Sequence, residues 1–530
     1  MEYAGLLLLL PFLIETGLLS YQSHYNELKR GYYFLDFIIM LMAFLYLGRI
    51  KNPEQLKKTC PGEFGKLFGL DRIPETKCLR VKLKAICNQK KSKEWNADLA
   101  NKWASKEGSE FYYIDGHVQV YSGHNASLGK KHVARQKLCL PGMQEFWVNN
   151  KEGLPYFYVT GEVNEKLQEM LLNHIIPKLL TDIQVKYSET ELLEDTDLAV
   201  FTTVFDREGY SPVLFEKLWN EFRVAVLTYN KNVKDSWEES EFSEYTILSD
   251  GKEETMLLAE RQIIKNNIKI KEVRKLSEDG HQTSIITTNK KISTEDIATY
   301  MFSRWSQENY FKYMRKEYDF DRVLQYSLEA IDGNFIVLNP EYSNLSHYIK
   351  KVREKINRRK AVLHDLENKN INESMENTGM QMKRQAKVQE ELDYLLKNEE
   401  ELLIQRKKHP YRIKIKDMPE DIKYNKLNQE SKHFQNILKM ICYRAEINCA
   451  NIISEYYKRS EEEKMELVKS IIKSHGDILL DETNESLTIS IYSQSNPRMN
   501  YALEKLCVVL NEAEHIYPGT NLKLIYKLAK

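Results

Sequence analysis

Arg304, Glu308, Lys312 and Arg315 stand at spacings of four, four and three in the stretch RWSQENYFKYMR (304–315), with Trp305 beside the first of them. At about 100° per residue these four side chains fall within a stripe roughly 80° wide on one side of a helix. Taken alone, the stripe is what ordinary solvated ion pairs at i,i+4 look like, each contributing about 0.2 to 0.5 kcal/mol. It acquires a second meaning if other carboxylates converge on it, because an acid among cations then reads as a metal ligand surrounded by phosphate-binding groups. Asp115 stands in the middle of FYYIDGHVQVYSG (111–123), an apolar run read as a strand. A charge there is costly unless it sits at an edge or holds a metal. Asp206 closes LAVFTTVFD (198–206), and strand ends of α/β sheets are where ligands bind; Glu208 is its rival for that position. Three converging carboxylates repel one another unless neutralised, and they suit one or two Mg²⁺ ions. Two ions about 3.5 to 4 Å apart can activate a water on one side of a phosphodiester and stabilise the leaving oxygen on the other. Arg304, Lys312 and Arg315 would then face DNA phosphates.

Such a cluster needs a sheet and a helix to assemble it. After the strand of Asp115, VARQKLCLP (133–141) and PYFYVTGEV (155–163) read as strands and NEKLQEMLLNHIIPKLL (164–180) as a helix. LAVFTTVFD then reads as a strand, SPVLFEKLWNEF (211–222) as a helix opened by a serine cap, and RVAVLTYNK (223–231) as a strand. Three strands, helix, strand, helix, strand is the order that opens an α/β ribonuclease H-like fold, in which the first and fourth strands are neighbours. Between 232 and 290 the alternation lapses into three apparent antiparallel strands, EETMLLAERQII, NIKIKEVRKL and QTSIITTNK, expected to form a β-rich insertion ahead of the glutamate helix. From 341, apolar residues at three/four spacing on both sides of a polar turn (368–379) predict an antiparallel helical hairpin. A long helix (433–457) and a small α+β tail follow.

The whole chain is neutral, with 77 Lys+Arg and 77 Asp+Glu in 530 residues, so it is not a polycation that coats nucleic acid. Positive charge is instead local: residues 49–93 hold thirteen Lys/Arg against four Asp/Glu, among them Lys77, Arg80, Lys82 and Lys84, in short helical pieces broken by Pro and Gly. That concentration suggests a phosphate-contacting surface. Seven cysteines without a CxxC pair argue against a disulfide framework or a zinc ribbon and point to a reducing compartment. His117, His124 and His132 cluster in sequence without a completing ligand pattern and read as strand and loop residues. The apolar runs GLLLLLPFLI (5–14) and FIIMLMAFLYLG (37–48) fall short of the roughly 18 residues of a membrane span and read as buried core helices, which predicts a cytoplasmic protein without a membrane partner.

With these residues in view, the chain resembles the bacterial insertion-sequence transposases with a DDE triad, in particular those bearing a Tyr-Arg-Glu-Lys signature. In that family an Arg precedes the Glu by four and a basic residue follows it by seven, as Arg304, Glu308 and Arg315 do, and Trp305 occupies the slot directly after the Arg. Asp206 opens an Asp-Arg-Glu that is similar to the family's second-aspartate motif. The family's Tyr stands three before the Arg, whereas here Met301 holds that place and Tyr300 is one residue off; the last signature position is Arg315, with Lys316 next to it. The motifs cover roughly 100–325. The resemblance implies Asp115, Asp206 and Glu308 as catalytic ligands of two Mg²⁺ (or Mn²⁺) ions. It also implies DNA contacts from Tyr300, Arg304, Trp305, Lys312 and Arg315. The partners it implies are the element's double-stranded terminal inverted repeats, target DNA and further copies of the chain, near the bacterial nucleoid.

The expected layout is a basic helical end-binding domain (1–100), the first part of the catalytic domain (101–231), the insertion (232–290), the end of the catalytic domain (291–340), the hairpin (341–410) and a C-terminal α+β region (411–530). Two other classes fit parts of the chain: an inactivated, domesticated relative that binds DNA without cutting it, and a coiled-coil scaffold built on 341–405. Intact carboxylates count against the first, and the second leaves them unexplained.

Overall fold

The computed structural model describes the chain apart from residues 29–30, 122, 124–127, 134–135, 162–164, 250–251, 322–327, 331, 371–377, 419–422, 424, 428 and 530. His124 and most of the polar turn expected at 368–379 therefore lie outside the described residues. The chain forms two compact units, one of Met1–Tyr121, Lys131–Tyr326 and Asn428–Lys530, the other of Ser122–Lys130 and Ser327–Leu427.

A ten-stranded mixed sheet dominates the first unit. Its strands are β1 (Phe111–Val120), β2 (Lys130–Val133), β3 (Leu138–Asn149), β4 (Pro155–Gly161), β5 (Phe201–Phe205), β6 (Val224–Tyr229), β7 (Ser243–Ser249), β8 (Lys252–Lys265), β9 (Ile268–Leu276) and β10 (Gln282–Thr287). β1 pairs antiparallel with β3 and β3 with β4, while β1–β5 and β5–β6 are parallel. The parallel strands are short, buried and rich in Val, Phe and Thr, as strands covered on both faces require. The strand expected at 133–141 is displaced: β2 ends at Val133, Lys137 takes a left-handed φ of 53° directly before β3, and the apolar run through Trp147 and Val148 carries β3 to Asn149.

The segment expected as an insertion does form antiparallel strands, but they extend the central sheet rather than standing apart. β10 lies against β6, and β9, β8 and β7 follow outward. Val273 on β9 and Ile285 on β10 are buried and, with Leu258, Ile297 and Met301, build a second core on one face of this half of the sheet, while Ile268, Ile270 and Ile286 join the main core. Periodicity reports such a strand's faces but not its neighbour.

The two apolar N-terminal runs are helices, Leu6–Thr16 and Leu35–Leu47, buried nearly all round and packed on the long helix Glu430–Tyr456. No described helix is long and apolar enough to cross a membrane. The C-terminal tail forms a three-stranded sheet (Gly476–Asp481, Ser486–Tyr492, Lys523–Ala529) with the helix Pro497–Glu512. The second unit holds two long paired helices, Pro340–Asn370 and Thr378–Lys407, and two short two-stranded ladders.

Candidate active site

The parallel register of β1 and β5 runs from Phe111 opposite Thr202 to Ile114 opposite Phe205. The next residue on each strand is Asp115 and Asp206, so the two aspartates leave neighbouring strands at the same level. Asp206 also caps the turn Arg207–Gly209, accepting from the Arg207 amide at 2.7 Å, which holds its carboxylate at the strand end. Asp115 is partly buried and accepts from the Gly116 amide at 2.9 Å.

Glu308 comes from the helix Trp305–Tyr318, whose first turn is fixed to the sheet by its neighbour in sequence. Gln307 is fully buried, and its amide donates to the backbone carbonyls of Tyr113 and Trp147, both at 3.2 Å, and to Asn149 Oδ1 at 2.9 Å. These partners lie on β1 and β3, so one side chain ties the glutamate helix to the strand that carries Asp115. The loop after β3 closes the same junction: Ser306 donates to the Lys151 carbonyl at 2.8 Å, and a Cβ on Gly153 (φ +80°) would meet the Ser306 carbonyl at 2.7 Å.

Arg304 is the common counterion. Its Nη2 lies 3.4 Å from Glu308 Oε1 and 3.9 Å from Asp206 Oδ2, with only 15% of its side chain exposed, while the Glu308 side chain is 63% exposed. Burial pushes the Asp115 carboxyl up to about 6; the nearby Arg304 and the Gly116 amide oppose that rise, and the Asp206 and Glu308 charges add to it. Asp115 thus senses both other carboxylates and the guanidinium between them. Tyr229, at the end of β6, senses Arg304, Asp206 and Glu308 as well; burial is the main cause of its raised pKa. Burial also raises the pKa of Glu208, with the Asp206 charge adding to the rise and Lys131 opposing it.

Among the described residues no three His, Cys, Asp or Glu side chains converge tightly enough to hold an ion as they stand. The donor set is nevertheless three hard carboxylates gathered around one cationic group, the chemistry that suits Mg²⁺ or Mn²⁺.

The remaining site residues spread further. Lys312 is exposed and Arg315 half-buried on the glutamate helix, and neither side chain has a hydrogen-bond or ion-pair partner among the described residues. Trp305 is 41% exposed at the helix start, outside the core. Tyr300 stacks on Phe111 at 3.9 Å between ring centres, at the far end of β1 from Asp115. On the helix Thr76–Cys87, Lys77 and Lys84 are exposed, Arg80 pairs with Glu54, and Lys82 is buried on the inner face with Leu79 and Ile86. Burial removes Lys82 from the surface that residues 49–93 were expected to offer to phosphate. His117 bonds Asp321 through Nε2 at 2.5 Å and stacks on Phe311, and His132 is exposed.

Gln307 was not singled out from the sequence. The signal was present, since Gln307, Tyr310, Phe311, Met314 and Tyr318 keep three/four spacing and share the buried face.

A mixed α/β sheet thus sets one mid-strand and one strand-end aspartate at the same level, with a helix-borne glutamate sharing their counterion. The chain belongs to a transposase family: the family model described as "Transposase protein" matches residues 1–530. No curated protein matches the chain. Among solved structures it is similar, at 9% identity and a TM-score of 0.27, to a piggyBac transposase in a synaptic complex with hairpin DNA; the match covers 60% of this chain and 65% of that one.

Proposed function

We propose that this transposase-family chain is a DNA transposase of the DDE type, which cleaves the ends of its mobile element and joins them to target DNA by metal-assisted phosphoryl transfer on a ribonuclease H-like sheet. The observation that carries the reading is that Asp115, midway along β1, and Asp206, just past the end of β5, stand at one level on adjacent parallel strands and share Arg304 with Glu308. The strand order β4-β3-β1-β5-β6, antiparallel on one side of β1 and parallel on the other, supports the fold.

Asp115, Asp206 and Glu308 would hold one or two Mg²⁺ or Mn²⁺ ions. When bound, these supply activation of the attacking oxygen and stabilisation of the leaving one. Arg304 keeps the three carboxylates gathered while no ion neutralises them and is placed to contact a phosphate once one does. Lys312 and Arg315, cationic and unpaired along the same helix, bind the DNA backbone on either side of the scissile bond. Gln307 sets the position of Glu308 relative to β1. Exposed Lys77 and Lys84 contribute to binding of the element's ends. The bacterial insertion-sequence class and the action of several copies on two DNA ends are part of the proposal.

The test uses a supercoiled plasmid carrying the gene with its flanking DNA. Asp115→Asn, Asp206→Asn and Glu308→Gln should each abolish Mg²⁺-dependent cleavage and leave DNA binding nearly intact, because each removes a ligand charge without removing a phosphate contact. Wild-type cleavage by any one variant removes that residue from the triad.

A further inference from the structure

We infer that one flank of the two-helix hairpin in the second unit is a sequence-independent binding surface for the backbone of duplex DNA, an inference that rests on the transposase reading above. Between 350 and 360 the helix Pro340–Asn370 carries seven Lys/Arg and a single acid, Glu354. Its apolar residues face the second helix, where Val352, Ile356 and Leu392 are buried together. Two of the seven cations serve the hairpin itself: Arg353 pairs with Glu399 at 2.6 Å and Arg359 with Glu391 at 2.8 Å.

Lys351, Lys355 and Arg358 are exposed, and their side chains have no partner among the described residues. At i, i+4 and i+7 they fall within about 60° of one another, on the flank that also carries Arg359. Across the Arg359–Glu391 bridge the flank continues onto the second helix, because Lys387 and Tyr394 stand four before and three after Glu391. Both are exposed, Tyr394 by 70%. The surface is thus four unpaired cations and a phenol on a rigid support, the groups that contact phosphate rather than read bases.

Its dimensions suit the ligand. The rise from Lys351 to Arg358 is about 10 Å, at 1.5 Å per residue. A duplex carries one charge per about 1.7 Å of axis, or roughly three phosphates of one strand over that length.

The experiment measures the affinity of the full chain for a short duplex of arbitrary sequence at salt concentrations from about 50 to 200 mM. The variant Lys351→Gln/Lys355→Gln/Arg358→Gln should lower the slope of log K against log salt by about 2.7, so that the wild type loses about 40-fold more affinity than the variant over that range. Lys355→Gln alone should lower the slope by about 0.9, which keeps the inference testable if the triple variant melts early. A control variant, Lys350→Gln/Lys360→Gln, removes two exposed cations lying outside this flank and should leave the slope unchanged. An unchanged slope in the triple variant overturns the inference and is the outcome expected if the flank receives an acidic protein instead. An equal loss in the control overturns it too, since net charge alone would then be responsible. Failure of the wild type to bind the duplex at any salt overturns the inference as well, whereas the transposase reading fails on the plasmid cleavage test above.

Discussion

Asp115 carries the site's electrostatic tension in one group. Burial raises its pKa to about 6, and Arg304 only partly compensates. A carboxyl whose folded pKa lies above its unfolded value of about 3.9 favours folding when protonated. That contribution is fully present below about pH 4 and is lost as pH rises through about 6. At neutral pH, without a divalent cation, the ionised Asp115 is therefore a net cost to the fold. Asp115→Asn should raise the melting midpoint of the chelated protein at pH 7.5, with the gain disappearing near pH 4. Saturating Mg²⁺ should reverse the order, because the ion stabilises only the folded protein that retains its ligand. Melting curves at the two pH values, with and without the ion, check both signs; a variant less stable than wild type in chelator at pH 7.5 would contradict the assignment of burial as the dominant cause.

At the scale of elements, the glutamate helix is held at both ends. Gln307 fixes its start to β1 and β3. Near its end, Glu317 accepts from Arg49 at 3.0 Å and from Lys469 at 3.2 Å. Arg49, in a left-handed backbone conformation just past the apolar helix Leu35–Leu47, also pairs with the fully buried Glu446 at 2.6 Å. Glu446 in turn accepts from Tyr313 and Tyr318 of the glutamate helix, each at 2.9 Å. Removing one partner of a buried pair strands the other charge, so Arg49→Met should destabilise the protein by about 3 to 5 kcal/mol, and adding Glu446→Gln should recover a large part of that loss. Chemical denaturation of the single and double variants measures it. None of this network was legible in the sequence, where Arg49 belongs to a basic run and its partners lie hundreds of positions away. Lys82 was misread for a different reason: composition grouped it with exposed lysines, although its three/four spacing to Leu79 and Ile86 put it on the inner face of its helix. Most of the strand-and-helix order from 111 to 231 was legible, because apolar runs and the Ser211 cap are local signals, although β2 and β3 stand where a single strand was expected at 133–141. The pairing of β10 with β6 depends on tertiary neighbours and was not.

At the scale of the whole molecule, the long helix Glu430–Tyr456 binds distant parts of the first unit. It packs on both apolar N-terminal helices, and its Arg444 bonds Glu107 at 2.5 Å and the Pro155 carbonyl at 2.9 Å beside β4. Residues from 49 and from 446 thereby help set the position of a helix whose glutamate shares Arg304 with Asp206. The proposed function depends on these three carboxylates forming one divalent-cation site. Its most direct test is titration of the purified full-length protein with Mn²⁺, the free ion being counted by electron paramagnetic resonance, beside Asp115→Asn, Asp206→Asn and Glu308→Gln. Wild type should take up one or two ions, with proton release below about pH 6 as Asp115 is forced to ionise, and each variant should lose uptake. Identical Mn²⁺ uptake by wild type and all three variants would contradict it.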